Sequence, residues 1–189
     1  MRDDFGVLIL THGRADNVKT VKSLQKAGYT GKWYIVIDDE DDQENEYRRI
    51  YGERVIQFCK EERARITDVG DTSKERRCII FARNEAFAIA RKLGLRYFIE
   101  LDDDYNNFEY LAKTGEKLKH TKIKQIDKVF ETMITFLDAS NAKSVAMAQG
   151  GGLARRREGF SMERTDFEKS YEQLYLSDRQ SGEFRRKNQ

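Results

Sequence analysis

The 189-residue chain contains no proline and only two cysteines, and nothing in its pattern explains the missing proline. Cys59 and Cys78 lack a CxxC spacing and are too few for a structural zinc site, so we expect reduced, buried thiols. No apolar run reaches the roughly 18 residues that a transmembrane helix needs. The first residues also lack the basic-then-apolar pattern of a secretion signal. These absences exclude the membrane-spanning class and predict a cytoplasmic protein with no membrane partner.

The chain also lacks a strong charge of either sign. Its 35 basic and 33 acidic residues leave a formal net charge of +2, so overall charge predicts no nucleic-acid partner. A polyanion would have to meet a local basic patch. Charged residues make up 36% of the sequence and apolar residues 39%, which is typical of a well-solvated globular protein. A chain of this length can bury a substantial core as one domain.

Short apolar runs alternate with segments of helical period. The runs predict strands at residues 7–10, 33–37, 55–58, 97–101 and 145–148. The helical periods predict a first helix capped by Asp16 or Asn17, further helices at 44–51, 82–93 and 126–137, and a last helix that includes 167–175. This alternation predicts an α/β fold with a mostly parallel, Rossmann-like sheet and helices on both faces. Residues 60–77 have no steady apolar period and are predicted to form a long mobile loop that closes over a ligand.

Three consecutive aspartates, Asp102, Asp103 and Asp104, directly follow the strand predicted at 97–101. Like charges packed so closely repel one another unless a divalent cation or a hydrogen-bond network accepts them. Asp102 and Asp104 lie on the same side of an extended chain, because side chains alternate along a strand. Two carboxylates aimed at one cation suit an Mg²⁺ or Mn²⁺ ion that also holds a substrate diphosphate. The run therefore predicts a metal site.

Two further polar clusters follow predicted strands. Parallel strands end at one edge of a sheet, so all three clusters should line one cleft. Thr11 and Arg14 follow the first strand and could reach a base or a ribose. Asp38 or Asp39 follows the second strand and could accept the imide N–H of a uracil ring.

Arg83 and Asn84 stand near the start of the helix predicted from residue 82. A cation and an amide beside free backbone N–H groups would form an anion site. Opposite the aspartates, this pair would frame a metal-bridged diphosphate.

Several of these features also have an interpretation without a ligand. Residues 38–42 are acidic enough to be a solvated loop, and His12 is more typical of a hydrogen-bonded structural residue than of a catalytic base. His120, in the basic stretch 117–124, is predicted to be exposed. Three glycines at 150–152 precede three arginines at 155–157, which fits either a phosphate contact or a hinge.

Four motifs, taken in order, resemble the GT-A glycosyltransferases: ILTHGR at 9–14, IDDEDD at 37–42, ARNEAF at 82–87 and ELDDDY at 100–105. The longer stretches THGRADNVKT, GYTGKWYIVIDDEDD and FIELDDDY are similar to a narrower group, the TET-associated glycosyltransferases common in bacteriophages, over about residues 5–150. The resemblance implies a GT-A fold, a UDP-linked nucleotide-sugar donor and an Mn²⁺ or Mg²⁺ cofactor on a DxD motif. It also implies sugar addition to hydroxymethylated pyrimidines in phage DNA, and thus residence in the host cytoplasm.

The resemblance assigns a role to each cluster. It implies nucleoside contacts from Thr11, Arg14 and Asp39, with Asp38 as the neighbouring candidate. The diphosphate contacts would come from Arg83 and Asn84, and the metal contacts from Asp102 and Asp104, with Asp103 between them.

One departure from the family pattern concerns the acceptor-binding part, which normally follows the metal strand by several elements and carries the catalytic carboxylate of inverting enzymes. Here we expect a donor-binding core at 1–152 and a charged, partly helical extension at 153–189, with the acceptor part short or missing. Glu158, Glu163 and Asp166 are the early acidic candidates, and no motif selects a catalytic residue among them. The alternatives are a nucleotidyltransferase of similar fold and a non-catalytic fragment that binds the donor or DNA.

Overall fold

The computed structural model describes residues 1–67, 79–114, 117–147 and 173–176. These residues form eight strands and five α-helices. The strands are β1 (Phe5–Leu10), β2 (Lys32–Asp38), β3 (Val55–Phe58), β4 (Tyr97–Asp102), β5 (Glu109–Thr114), β6 (Lys117–Lys122), β7 (Ser144–Ala146) and β8 (Gln173–Leu176). The helices are α1 (Lys19–Lys26), α2 (Glu44–Tyr51), α3 (Lys60–Ile66), α4 (Ile80–Lys92) and α5 (Ile126–Ala139).

Six strands form one sheet in the order β3-β2-β1-β4-β8-β7. The first four of these are parallel, and β8 runs antiparallel to both β4 and β7. This confirms the predicted α/β class with a mostly parallel, Rossmann-like sheet. The chain reverses its direction of winding between β1 and β4, and ligands bind at such a switch point, outside the carboxyl ends of the strands. Leu10 is in register with both Val36 and Asp102, so these three strands end almost level.

Both faces of the sheet are covered, as predicted. Strand β1 is buried throughout and sends alternate side chains to opposite faces. Phe5, Val7 and Ile9 pack in the cluster that includes α1 and α5, and Leu8 and Leu10 pack in the cluster that includes α4. The helical spacing of Ile126, Val129, Phe130, Met133, Ile134 and Leu137 predicts an apolar stripe on α5, and all of these residues are buried except Val129, which is half-buried. No helix in these described ranges is both long and apolar enough to cross a membrane.

Three predictions about individual elements were wrong. Residues 60–66, predicted as part of a mobile loop, form α3, and residues 68–77 lie outside the described part of the chain. The last predicted helix included Leu174 and Tyr175, but these residues form β8 and pair with β4. The first helix begins at Lys19, because residues 15–17 form a separate turn of 3₁₀-helix. The remainder of the extension at 153–189 lies outside the described residues.

The hairpin of β5 and β6 was not predicted from the sequence. Among the described strands these two pair only with each other, and the base is closed where the N–H of Ile123 donates to the carbonyl of Phe108 at 2.8 Å. Phe108 and Ile123 are buried, whereas the described side chains of the two strands are exposed. Strands whose described side chains are exposed need no apolar alternation, so this sequence looks like a basic loop.

Candidate active site

A cavity of about 640 Å³ opens at the carboxyl edge of β1, β2 and β4. The loops after these strands and the first residues of α3 and α4 contribute to it. Its lining brings together the three polar clusters that lie far apart in the sequence. The lining residues are Leu10, Thr11, His12, Arg14, Asp38, Phe58, Lys60, Ile79, Phe81, Ala82, Arg83, Asp102, Asp103 and Asp104.

Asp103 points into the protein and ties the end of β4 to the loop after β1. Its side chain accepts hydrogen bonds from the hydroxyl of Thr11 at 2.6 Å and from Nη1 of Arg14 at 3.0 Å. Thr11 also contacts the hydroxyl of Tyr47 at 3.0 Å, which links α2 to the same network. Both carboxylate oxygens of Asp103 are therefore engaged by protein donors, and its predicted role as a metal ligand stays a prediction.

Asp102 and Asp104 are more accessible to a ligand. The side chain of Asp102 is 30% exposed and accepts a hydrogen bond from Nη2 of Arg83 at 2.9 Å, and Asp104 is exposed. Burial raises the pKa of Asp102, the nearby charges of Asp104 and Asp103 raise it further, and the cation of Arg83 opposes them. This is the like-charge crowding that the sequence predicted.

These carboxylates fit a divalent cation that is shared with a substrate. The described residues contain no group of three or more His, Cys, Asp or Glu side chains placed to hold a metal ion by themselves. Mg²⁺ is commonly bound through one or two carboxylates together with substrate phosphates and water. The hard oxygen donors of Asp102 and Asp104, beside a cavity lined by two arginines, match that pattern.

Arg83 lies in the first turn of α4 and lines the cavity. Helix α4 begins at Ile80, and the backbone N–H of Arg83 donates to the carbonyl of Ile79 at 3.0 Å. The anion site predicted beside Arg83 and Asn84 stays a prediction. Asn84 is buried, donates to the hydroxyl of Thr67 at 3.4 Å and does not line the cavity. Its contact with a diphosphate stays a prediction.

A family model described as TET-Associated Glycosyltransferase matches residues 5–171. The chain belongs to this family. The match extends from β1 through the cavity-forming elements to residue 171, and it confirms the resemblance inferred from the motifs. No curated protein matches the chain. Membership supports a glycosyltransferase, which implies a nucleotide-sugar donor and an acceptor, and the parallel sheet is consistent with a GT-A fold.

At the β2 end of the cavity, the carboxylate of Asp38 contacts the side chains of Lys60 and His12. Its Oδ2 accepts a hydrogen bond from Nζ of Lys60 at 3.3 Å and lies 3.1 Å from Nδ1 of His12. Lys60 is the first residue of α3 and is only 8% exposed. Asp39 instead accepts a hydrogen bond from the backbone N–H of Lys60 at 2.9 Å and does not line the cavity. The structure thus brings Asp38, not Asp39, to this wall.

Sequence reasoning missed two charged residues of the site. Lys60 was assigned to a mobile loop, because α3 is short and mostly polar. Glu100 lies in β4, is fully buried and accepts a hydrogen bond from Nη1 of Arg83 at 3.3 Å. Burial raises its pKa to about 8, an effect that Arg83 opposes and the charge of Asp102 reinforces. The sequence signal that could have revealed Glu100 is a carboxylate flanked by apolar residues within a strand predicted to be buried.

The apolar part of the lining lies beside these charges. Leu10, Phe58 and Phe81 are buried side chains from three different elements, and Ala82 and Ile79 extend the surface along α4. A wall of this kind suits a flat, weakly polar group such as a nucleobase, while the charged end suits a phosphate group.

The other predicted candidates do not line this cavity or lie outside the described part of the chain. His120 is exposed, as predicted, and lies 3.1 Å from Glu109 in the hairpin. Cys59 is a free, half-buried thiol, and Cys78 is outside the described residues. The glycines at 150–152, the arginines at 155–157 and the acidic candidates Glu158, Glu163 and Asp166 are also outside the described residues.

Proposed function

We propose that this TET-associated glycosyltransferase binds a UDP-linked sugar in the cavity and transfers the sugar to a hydroxyl group. The observation that carries the proposal is the arrangement around Asp102, Asp103 and Asp104. Two arginines, Arg14 and Arg83, are paired to these aspartates and line one cavity with an apolar wall. Cations beside acidic oxygen donors are what a metal-bridged diphosphate requires.

The donor would lie across the cavity with its nucleoside at the β2 side. Phe58 and Phe81 offer apolar surface for the base. Asp38 would accept the imide N–H of uracil, and Lys60 would donate to a base or ribose oxygen. Thr11 and Arg14, in the loop after β1, lie between this region and the aspartates. We keep Asp39 as the alternative acceptor implied by the family resemblance.

The diphosphate would lie at the β4 side. Asp102 and Asp104 would hold an Mn²⁺ or Mg²⁺ ion, which supplies positive charge to the phosphate oxygens when it is bound. Arg83 is largely desolvated, with 9% of its side chain exposed, so its charge acts strongly on a neighbouring anion. As the bond from the sugar to the diphosphate breaks, negative charge grows on the leaving group. Arg83 would stabilise that charge more than it stabilises the intact donor.

The transfer conserves atoms and charge in a simple way. The bond between the anomeric carbon and the diphosphate oxygen breaks, and the electron pair leaves with the nucleoside diphosphate. A new bond forms between the anomeric carbon and the acceptor oxygen, whose proton passes to a base. No described residue has been assigned as that base.

We propose a hydroxymethylated pyrimidine in phage DNA as the acceptor, on the support of the family resemblance alone.

A thermal-shift screen of nucleotide sugars, with and without Mn²⁺, tests the donor proposal. A ligand that binds the native state raises the melting temperature. We expect a UDP-sugar to stabilise the protein in the presence of Mn²⁺ and to do so less without it. The absence of stabilisation by any nucleotide sugar, with or without metal, would contradict the proposal.

The products distinguish transfer of a sugar from transfer of a nucleotide. A glycosyltransferase releases a nucleoside diphosphate from its donor, and a nucleotidyltransferase releases pyrophosphate. We expect UDP as the product from a UDP-sugar, measured by chromatography after incubation with hydroxymethylated DNA. Pyrophosphate from a nucleoside triphosphate would favour the other class.

A further inference from the structure

Glu100 is a carboxylate on an apolar face of the sheet. Side chains alternate along a strand, so Glu100 lies on the same face of β4 as Phe98 and Asp102. None of its surface is exposed. Its neighbour across the parallel pair is Leu8, which belongs to the apolar cluster that covers this face. Tyr175 of β8 is also in that cluster and stacks on Phe98 with ring centroids 5.2 Å apart. Glu100 therefore lies behind the cavity wall and does not line it.

One arginine connects Glu100 to the cavity. Arg83 donates from Nη1 to Oε2 of Glu100 at 3.3 Å and from Nη2 to Oδ1 of Asp102 at 2.9 Å. The two terminal nitrogens of the guanidinium are thus held by one fully buried and one partly exposed carboxylate. The second oxygen of Glu100, Oε1, has no hydrogen-bond partner among the described residues. The structure therefore pairs this buried carboxylate with Arg83 through a single hydrogen bond.

Fold stability alone is a weak explanation for this pair. Removing two charges from water costs about as much as their attraction returns, and apolar replacements of buried ion pairs are often neutral or stabilising. The surrounding cluster of Leu8, Phe98 and Tyr175 could accommodate an apolar side chain at position 100. The buried carboxylate gives instead a fixed partner, on the core side, to a planar guanidinium that also pairs with Asp102.

We propose that Glu100 is a positioning residue that fixes the guanidinium of Arg83 at the cavity wall. Oδ1 of Asp102 accepts from Arg83, its Oδ2 accepts a 3.5 Å hydrogen bond from the hydroxyl of Tyr105, and 30% of the side chain is exposed beside the cavity. When a ligand engages Asp102, the bond to Glu100 keeps Arg83 in place beside the ligand. Glu100 does not contact the donor, and its effect reaches the site through Arg83.

Side-chain NMR of Arg83 tests this role without any ligand. Rotation about the Cζ–Nε bond averages the two Nη signals of a free guanidinium, and a buried partner that prevents this rotation keeps the signals separate. We expect resolved Arg83 Nη signals in the wild type, assigned by their loss in Arg83→Lys. The signals should merge in Glu100→Gln, which preserves side-chain size and replaces the carboxyl group with an amide. Resolved signals in folded Glu100→Gln would overturn the proposal.

Two further variants keep the test decisive even if Glu100→Gln does not fold. In Asp102→Asn the Arg83 signals should stay resolved, because Glu100 is intact, and their merging would show that Asp102 alone fixes the arginine. Glu85→Gln is the matched control. Glu85 accepts a hydrogen bond from Nε of Arg63 at 2.6 Å, and neither residue lines the cavity. This control should leave the Arg83 signals unchanged, and an effect equal to that of Glu100→Gln would contradict a specific role.

The effect on ligand binding rests on the proposed function. We expect Glu100→Gln to lower the affinity for UDP about tenfold and to leave the affinity for uridine unchanged, because only the diphosphate would meet Arg83. In an Arg83→Lys background the Glu100 substitution should cause no further loss. Equal UDP affinity in wild type and Glu100→Gln would contradict this consequence. If the wild type binds neither UDP nor uridine, the donor proposal fails, and the NMR result still decides the role of Glu100.

Discussion

The hydroxyl of Thr11 donates a 2.6 Å hydrogen bond to Asp103, a residue 92 positions later in the chain. This bond joins the loop after β1 to the end of β4 across the switch point of the sheet. Arg14 adds a second bond to the same carboxylate at 3.0 Å. The middle aspartate of the triplet therefore organises the cavity from within, while its two neighbours are the ones available to a ligand.

Asp103→Ala should destabilise the fold, since it leaves Thr11 and Arg14 without their shared acceptor. We expect a loss of about 1–3 kcal/mol in the free energy of unfolding, measured by urea denaturation. Asp104→Ala is the matched control, because that side chain is exposed, and it should change stability by less than about 0.5 kcal/mol. Equal effects of the two substitutions would contradict an internal role for Asp103.

Asp104→Ala should abolish metal-dependent donor binding while it preserves the fold. Loss of one carboxylate leaves the cation with Asp102, whose oxygen is already shared with Arg83. Calorimetric titration of UDP-glucose in the presence of Mn²⁺ measures the effect. Asp42→Ala, which removes an exposed aspartate outside the cavity lining, serves as the control and should bind like the wild type. Equal donor affinity in wild type and Asp104→Ala would refute the metal role.

Two adjacent aspartates after β2 give contrasting predictions for nucleoside binding. Asp38 lines the cavity, and Asp39 supports the first backbone N–H of α3. Asp38→Asn should reduce the preference for UDP over ADP, because an amide can present its N–H₂ group to the base. Asp39→Ala should change that preference less. Competition binding with both nucleotides measures the two variants, and a larger effect at Asp39 would support the acceptor implied by the family resemblance.

Tyr29 predicts how stability depends on alkaline pH. Burial against Phe5 and Phe130 raises the pKa of Tyr29 above its ordinary value of 10.0. The unfolded chain loses this proton near pH 10 and the folded chain retains it, so rising pH favours unfolding. Above pH 10 we expect the free energy of unfolding of Tyr29→Phe to fall less steeply than that of the wild type, by up to about 1.4 kcal/mol per pH unit. Unfolding in urea at pH 9 to 11 measures this slope, and parallel curves for both proteins would contradict the prediction.

Much of the architecture was accessible from sequence, because buried parallel strands are unbroken apolar runs. Residues 44–51 and 55–58 were predicted with the bounds that the structure has, and the buried stripe of α5 was read directly from its period. The elements that failed have weak or no apolar periodicity. Helix α3 is short and charged, the described side chains of the β5–β6 hairpin are exposed, and β8 contributes four residues whose pairing with β4 is set by distant contacts.

The sequence by itself determined that carboxylates and cations would gather at one edge of a parallel sheet, since strand ends converge there whatever the loops do. It also carried the motifs that identify the family. Only the tertiary structure decided which partner each charged side chain has. Asp103 accepts from Thr11 inside the protein, and Asp102 pairs with Arg83. Asp38, and not Asp39, lines the cavity, and Glu100 lies behind the cavity wall. These assignments depend on hydrogen-bond geometry between residues distant in the chain, and local sequence pattern contains no information about such distances.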